Sequence, residues 1–86
     1  MSRTTPSTIL PIQRAMAGAN PRAWRDGLVV EVHDESVTVL LLEGTVTTLR
    51  VADARGTAVV GDPVAHHPVA EILTVGGRSA TARAVR

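Results

Sequence analysis

Three histidines, His33 and the adjacent pair His66-His67, are the residues of this chain most suggestive of chemistry. Imidazole is a common metal ligand and proton carrier. The spacing argues against both uses. Neighbours on a strand point to opposite faces, so His66 and His67 do not reach one ion without a bend. No third ligand stands at a useful distance, and the chain has no cysteine, which removes thiolate zinc sites and disulfides together. There is no Ser-His-Asp order and no nucleophile motif. Gly76-Gly77 lacks the strand-loop-helix setting of a phosphate loop. Asp34 and Glu35 stand where a turn is expected, and acidic residues favour turns for backbone reasons. These readings predict no catalytic set, no metal and no cofactor, hence a protein that is not an enzyme.

The segment Arg22-Ala23-Trp24-Arg25 suggests different chemistry. An indole can stack a base while flanking guanidiniums neutralise phosphates. Barrels that hold single strands in this way present several aromatics on one face, and Trp24 is the only aromatic here apart from the histidines. Trp24 serves equally well as a plug for the end of a barrel or as an anchor for a helix.

Charge bears on the same choice. The chain has nine arginines, no lysine and eight carboxylates. The arginines gather at the ends, whereas residues 27–77 carry seven carboxylates against Arg50 and Arg55. A nucleic-acid binder is expected to show a basic patch on its folded body. Here the body is acidic, leaving only the basic termini as arms for nucleic acid or an acidic protein surface.

Eighty-six residues make one domain. With no Phe or Tyr, its core must come from Val, Leu, Ile and Ala, and a chain this small gains stability from oligomerisation when disulfides and metals are missing. No apolar run reaches the ~20 residues of a membrane helix, and the N-terminus shows no signal-peptide core, so a soluble chain away from membranes is expected.

Residues 1–8 are polar and aperiodic and read as an arm. Pro11 at a first helical position, with Gly18 and Asn20-Pro21 as stops, predicts about two helical turns. From Gly27 the period changes to two. Strands are predicted at 28–33, 37–42, 45–51, 64–66, 69–75 and 78–84, with a hairpin at Glu43-Gly44, a loop at 52–58 and a turn at Gly76-Gly77. The division is therefore 1–26, arm and short helix, and 27–86, a mainly β, SH3-like or OB-like small barrel of five to six strands.

The second strand carries more apolar residues than one barrel face needs. Val37, Val39 and Leu41 fall on one side, and Thr38, Leu40 and Leu42 on the other. Either the N-terminal helix covers Leu40 and Leu42 with Ile12 and Met16, or the leucines meet another subunit. In the second case Ile9, Met16, Leu40 and Leu42 form the interface.

The order Gly27-Leu28-Val29-Val30-Glu31-Val32, Val37-Thr38-Val39-Leu40-Leu41, Gly44, Val60-Gly61-Asp62-Pro63-Val64 resembles the small barrels of tailed phages. Such barrels occur in head-completion (stopper-type) proteins, tail hubs and baseplates. The resemblance covers residues 27–65; His66-His67-Pro68 and the long final hairpin have no counterpart in it. It implies a structural subunit of a virion or phage-like particle, assembled in the host cytoplasm as a homo-oligomer in contact with other particle proteins. The alternative is a small nucleic-acid-binding barrel using Arg22, Trp24 and Arg25.

Overall fold

The computed structural model describes residues 9–85. The arm expected at 1–8 lies outside them. Helix α1 (Pro11–Ala19) leads through a single 3-10 turn (Pro21–Ala23) into β1 (Arg25–Val32), β2 (Ser36–Leu41) and β3 (Val46–Arg50). A one-turn helix, α2 (Ala54–Thr57), precedes β4 (Pro63–His67), β5 (Ile72–Val75), β6 (Arg78–Thr81) and β7 (Arg83–Ala84).

All pairings are antiparallel, in the order β6-β5-β4-β1-β2-β3-β7. The first four strands stand as β4-β1-β2-β3, a Greek key, with α2 on the connection that returns the chain to β1. The stretch predicted as one final strand breaks at Ala82. Its first half pairs with β5 and its second with β3, so one continuous segment joins the two sides of the sheet into a nearly closed barrel. Counted as one broken strand, β6 and β7 bring the total to the predicted six.

The inward residues of each strand form the core. Val29, Val37, Val39, Leu49, Val51, Leu73 and Ala82 are at most 1% exposed. The predicted loop at 52–58 contains α2, whose Ala54 joins Ala58 in that core. A single turn is too short to show helical periodicity. Gly27 lets β1 and β2 approach closely, since a Cβ there would stand 2.6 Å from the Leu40 carbonyl oxygen. Between β5 and β6, Gly76 and Gly77 both have positive φ (57° and 82°), as a two-residue type I′ hairpin requires.

Helix α1 packs elsewhere than over Leu40. Ile9 and Ala17 meet Ala70 and Ile72 in a second, smaller cluster on the outside of the β4–β5 hairpin, with Trp24 against it. The polar centre of this joint is Gln13, itself buried. Its amide Nε2 donates to the carbonyls of Ala70 (3.1 Å) and Glu71 (3.2 Å), and its Oε1 accepts from the Leu10 N–H (2.7 Å) and the Thr81 hydroxyl (3.3 Å). Ile12 and Met16 lie on the helix's outward side, 65% and 37% exposed. The lid expected from them is therefore not formed, because α1 docks by its small and polar residues.

Candidate protein-docking face

Among the described residues, the outward residues of β1, β2 and β3 form a contiguous exposed apolar group. Strand register sets Leu28 beside Leu40 and Leu40 beside Val46, while Leu28 also pairs with Pro63 on β4. The result is one apolar row across four strands, flanked by Val30 and Leu42. Each of these hydrophobic side chains is more than a third exposed. A shallow groove of about 460 Å³ runs beside the row, lined by Asp26, Leu28, Leu42, Pro63, Ala65 and Thr74 among others.

Leu42 is the most exposed member, at 78%. The hairpin is longer than the two residues predicted. The Gly44 N–H donates to the Leu41 carbonyl (2.8 Å) and the Leu41 N–H to the Thr45 carbonyl (2.8 Å), leaving Leu42-Glu43-Gly44 as a three-residue loop with Gly44 at φ 97°. Leu42 thus leaves the strand and sits at the loop's start. Beside it Glu43 accepts from the Arg25 guanidinium and from the Thr45 hydroxyl. At the other end of the face Thr38 and Thr48 are partners across the strands at 3.3 Å.

The four residues predicted as an interface do not come together. Leu40 and Leu42 share this face. Met16 is exposed on the outward side of α1, the helix whose other side packs on the β4–β5 hairpin. Ile9 is only 8% exposed and is covered by the chain's own second cluster, so its burial involves no second copy. Leu28, Val46 and Pro63 escaped the sequence reading. Their strand parity shows them facing outward, but only the cross-strand register shows that they meet Leu40.

Trp24, Arg22 and Arg25 do not make an open stacking platform. The Trp24 ring meets His67 edge-to-face, with centroids 5.0 Å apart, and packs against the cluster beneath α1. This is the helix-anchor role. Arg25 is engaged by Glu43, while Arg22 is exposed in the 3-10 turn.

The histidines also separate. His66 faces the barrel interior opposite Leu73, and His67 faces α1. Because the Ala70 N–H donates to His67 Nδ1 (3.0 Å), that nitrogen is the acceptor and Nε2 carries the proton donated to the Asn20 carbonyl (2.8 Å). His67 thereby ties the turn after α1 to the turn after β4. His66 Nε2 is buried without a partner. Burial pulls the His66 pKa below the ordinary histidine value, an effect partly offset by a hydrogen bond to the Ala82 backbone. His33 is exposed beside Glu31 (3.0 Å). Asp34 binds Arg55 at 2.6 Å, and this pairing holds the carboxyl below its usual range. Among the described residues no group of three or more His, Asp or Glu side chains is arranged to hold a metal ion.

A recess of about 270 Å³ beside α2 is lined by Arg55, Thr57, Asp62 and Arg78, among others. Arg55 is taken by Asp34, and the Asp62 carboxylate accepts from the Val59 N–H. It lacks the convergent polar groups of a ligand site.

Comparisons with protein-family models, with characterised proteins and with solved structures gave no match to this chain.

Proposed function

We propose that this protein is a structural assembly subunit that works by docking the outer β1–β2–β3 face on protein surfaces. The observation that supports it is the apolar row Val46–Leu40–Leu28–Pro63, left bare while the chain's own helix covers a different part of the barrel. A contiguous exposed apolar patch on a small domain is characteristic of an interaction surface. The setting we assign is a phage or phage-like particle, because residues 27–65 carry the motif order of tailed-phage small barrels. Its contacts there are further copies and other particle proteins.

Leu40→Asp tests the reading. Leu40 is outside the core, so the variant is expected to keep the wild-type circular dichroism and melting temperature. It is expected to lose the wild-type's co-sedimentation with particles from a lysate of its source, with capsid or tail proteins identified by mass spectrometry. A folded Leu40→Asp that still travels with those particles refutes the docking face. A wild-type protein that never travels with them refutes the particle setting.

A further inference from the structure

The segment that closes the barrel is held on β3 by a pairing of like charges. Leu49 stands opposite Ala84 and Arg50 opposite Arg83, and beyond them the Val85 N–H donates to the Thr48 carbonyl (2.9 Å). Directly opposed residues of an antiparallel pair share a face and bring their Cβ atoms within about 5 Å of each other. Leu49 is turned to the core, so Arg50 and Arg83 are turned outward, side by side. Like charges set opposite one another weaken a strand pair. Among the described residues Arg50 has no ion-pair partner, and Arg83 has one long contact, from Nε to the Glu71 carboxylate at 3.4 Å. A recess of about 160 Å³ at this seam is lined by Arg50, Ala52, Thr81 and Arg83, with no carboxylate among the described lining residues. The carboxylate next along the chain, Asp53, is turned toward Gly56 of α2. The Thr81 hydroxyl donates to Gln13 Oε1 (3.3 Å), which leaves the two guanidiniums as the side-chain donors of the recess.

We propose that this recess binds a phosphate dianion, either free inorganic phosphate or the terminal phosphate of a monoester, held by Arg50 and Arg83 together. Two guanidiniums, which stay charged at any working pH, match a ligand whose charge is about minus two near neutrality. Each is a planar fork suited to two phosphate oxygens. Glu71 approaches Arg83 at Nε, so the Nη groups of that arginine remain available. The recess is smaller than the ~300–1,000 Å³ of ordinary ligand pockets, which limits recognition to the phosphate group itself. A phosphodiester carries a single charge and matches the pair less well. The bound anion replaces repulsion across the β3–β7 seam by attraction to a shared counter-charge, and so staples the barrel's closing segment in place. The site does not depend on the docking reading above.

The test is an amide NMR titration of the full chain with inorganic phosphate, ionic strength being held constant with sodium chloride. Saturable shifts are expected around residues 50–52 and 81–85, with slower exchange of the Val85 amide once phosphate is bound. Arg50→Gln and Arg83→Gln are each expected to weaken binding at least tenfold. Both side chains are exposed, so circular dichroism should be unchanged in either variant. Dimethyl phosphate, with one charge, is expected to bind at least tenfold more weakly than inorganic phosphate. Glycerol phosphate separates the two sources: affinity equal to or above that of inorganic phosphate assigns the site to monoesters, and weaker affinity assigns it to the free ion. Dimethyl phosphate binding as tightly as phosphate overturns the dianion assignment. Shifts that sodium chloride alone reproduces, or that survive both substitutions, overturn the site. Neither failure bears on the docking test with Leu40→Asp.

Discussion

Gly27→Ala probes the contact that sets Leu28 beside Leu40. A Cβ at Gly27 would lie 2.6 Å from the Leu40 carbonyl oxygen and 2.8 Å from Val39 Cγ1. Carbon–oxygen contacts between strands normally run ~3.3–3.6 Å, so β2 would have to retreat by about 0.7 Å. The obstacle is backbone within a paired strand, and no rotamer change relieves it. Gly27 also pairs with Leu41 and with Val64, so movement is resisted on both sides. Overpacking of this kind costs about 3 kcal/mol, the upper end of the usual range. The loss of glycine's backbone freedom in the unfolded chain returns up to ~1 kcal/mol. The net destabilisation of about 2 kcal/mol lowers Tm by ~8–16 °C for a domain of this size. Thermal melts by circular dichroism and urea titrations read by Trp24 fluorescence measure it directly. Gly18→Ala is the control. Nothing lies within 4 Å of a Cβ there, and the site is helical, so the same substitution is expected to stabilise by roughly 0.5–1 kcal/mol. A Gly27→Ala protein melting within ~3 °C of wild type would refute the close-approach reasoning.

Gln13→Ala strips α1 of its buried clamp and leaves the Ala70 carbonyl without its side-chain donor, an expected cost of about 1–3 kcal/mol; hydrogen exchange should quicken in α1 well before it does in β1–β3. Stability is expected to fall with acid through His66. Its folded pKa lies below the unfolded one, so above about pH 6.5 both states are neutral and its contribution is flat, whereas below that the unfolded chain takes up the proton first. Urea unfolding at pH 7.5, 6 and 5 should show a decline of at most ~1.4 kcal/mol per pH unit from this residue, smaller in His66→Gln; a pH-independent difference between the two proteins would count against it. Adding oligothymidine at low salt is expected to leave Trp24 fluorescence unchanged, because the indole already packs on His67 and the cluster under α1; salt-sensitive quenching would restore a nucleic-acid role for the Arg22–Arg25 segment.

Much of the barrel was legible because period-two patterning carries strand parity. Val37, Val39 and Leu41 face inward and Leu40 outward, as alternation requires. Helix α1 was legible from Pro11 and Gly18, but its inward face was not. Ile12 and Met16 share a helical face and are the larger apolar side chains, so hydrophobic spacing nominates them. The helix instead buries Ala17 and Gln13, whose small size and amide suit a close approach to the exposed carbonyls of the β4–β5 turn. A Gln three residues into a helix that opens with Pro is a capping signal. Nothing local, however, indicates that the same amide also reaches residues 70 and 71. His67 was opaque for the same reason, since both of its partners are backbone groups in distant or irregular segments.

The exposed apolar face was half legible. Surplus leucines on one strand announce an uncovered side, but their consequence depends on which neighbours the sheet supplies. The three-residue hairpin pairs Leu40 with Val46, and the Greek-key return of β4 places Pro63 beyond Leu28. A long-range connection thus widens a two-leucine anomaly into a row spanning four strands. The chain could have spent its helix on that row, since a lid of Ile12 and Met16 there would bury several apolar side chains. It uses α1 instead to cover Ile72 and Ala70, where Trp24 and Gln13 fix the helix in place. Among the described residues, covering the β4–β5 side internally leaves the β1–β3 side as an exposed apolar surface of the barrel. A lone barrel that existed only to be stable would gain by covering this row or replacing it with polar residues. Its persistence beside a helix engaged elsewhere is the observation on which the proposed docking role rests.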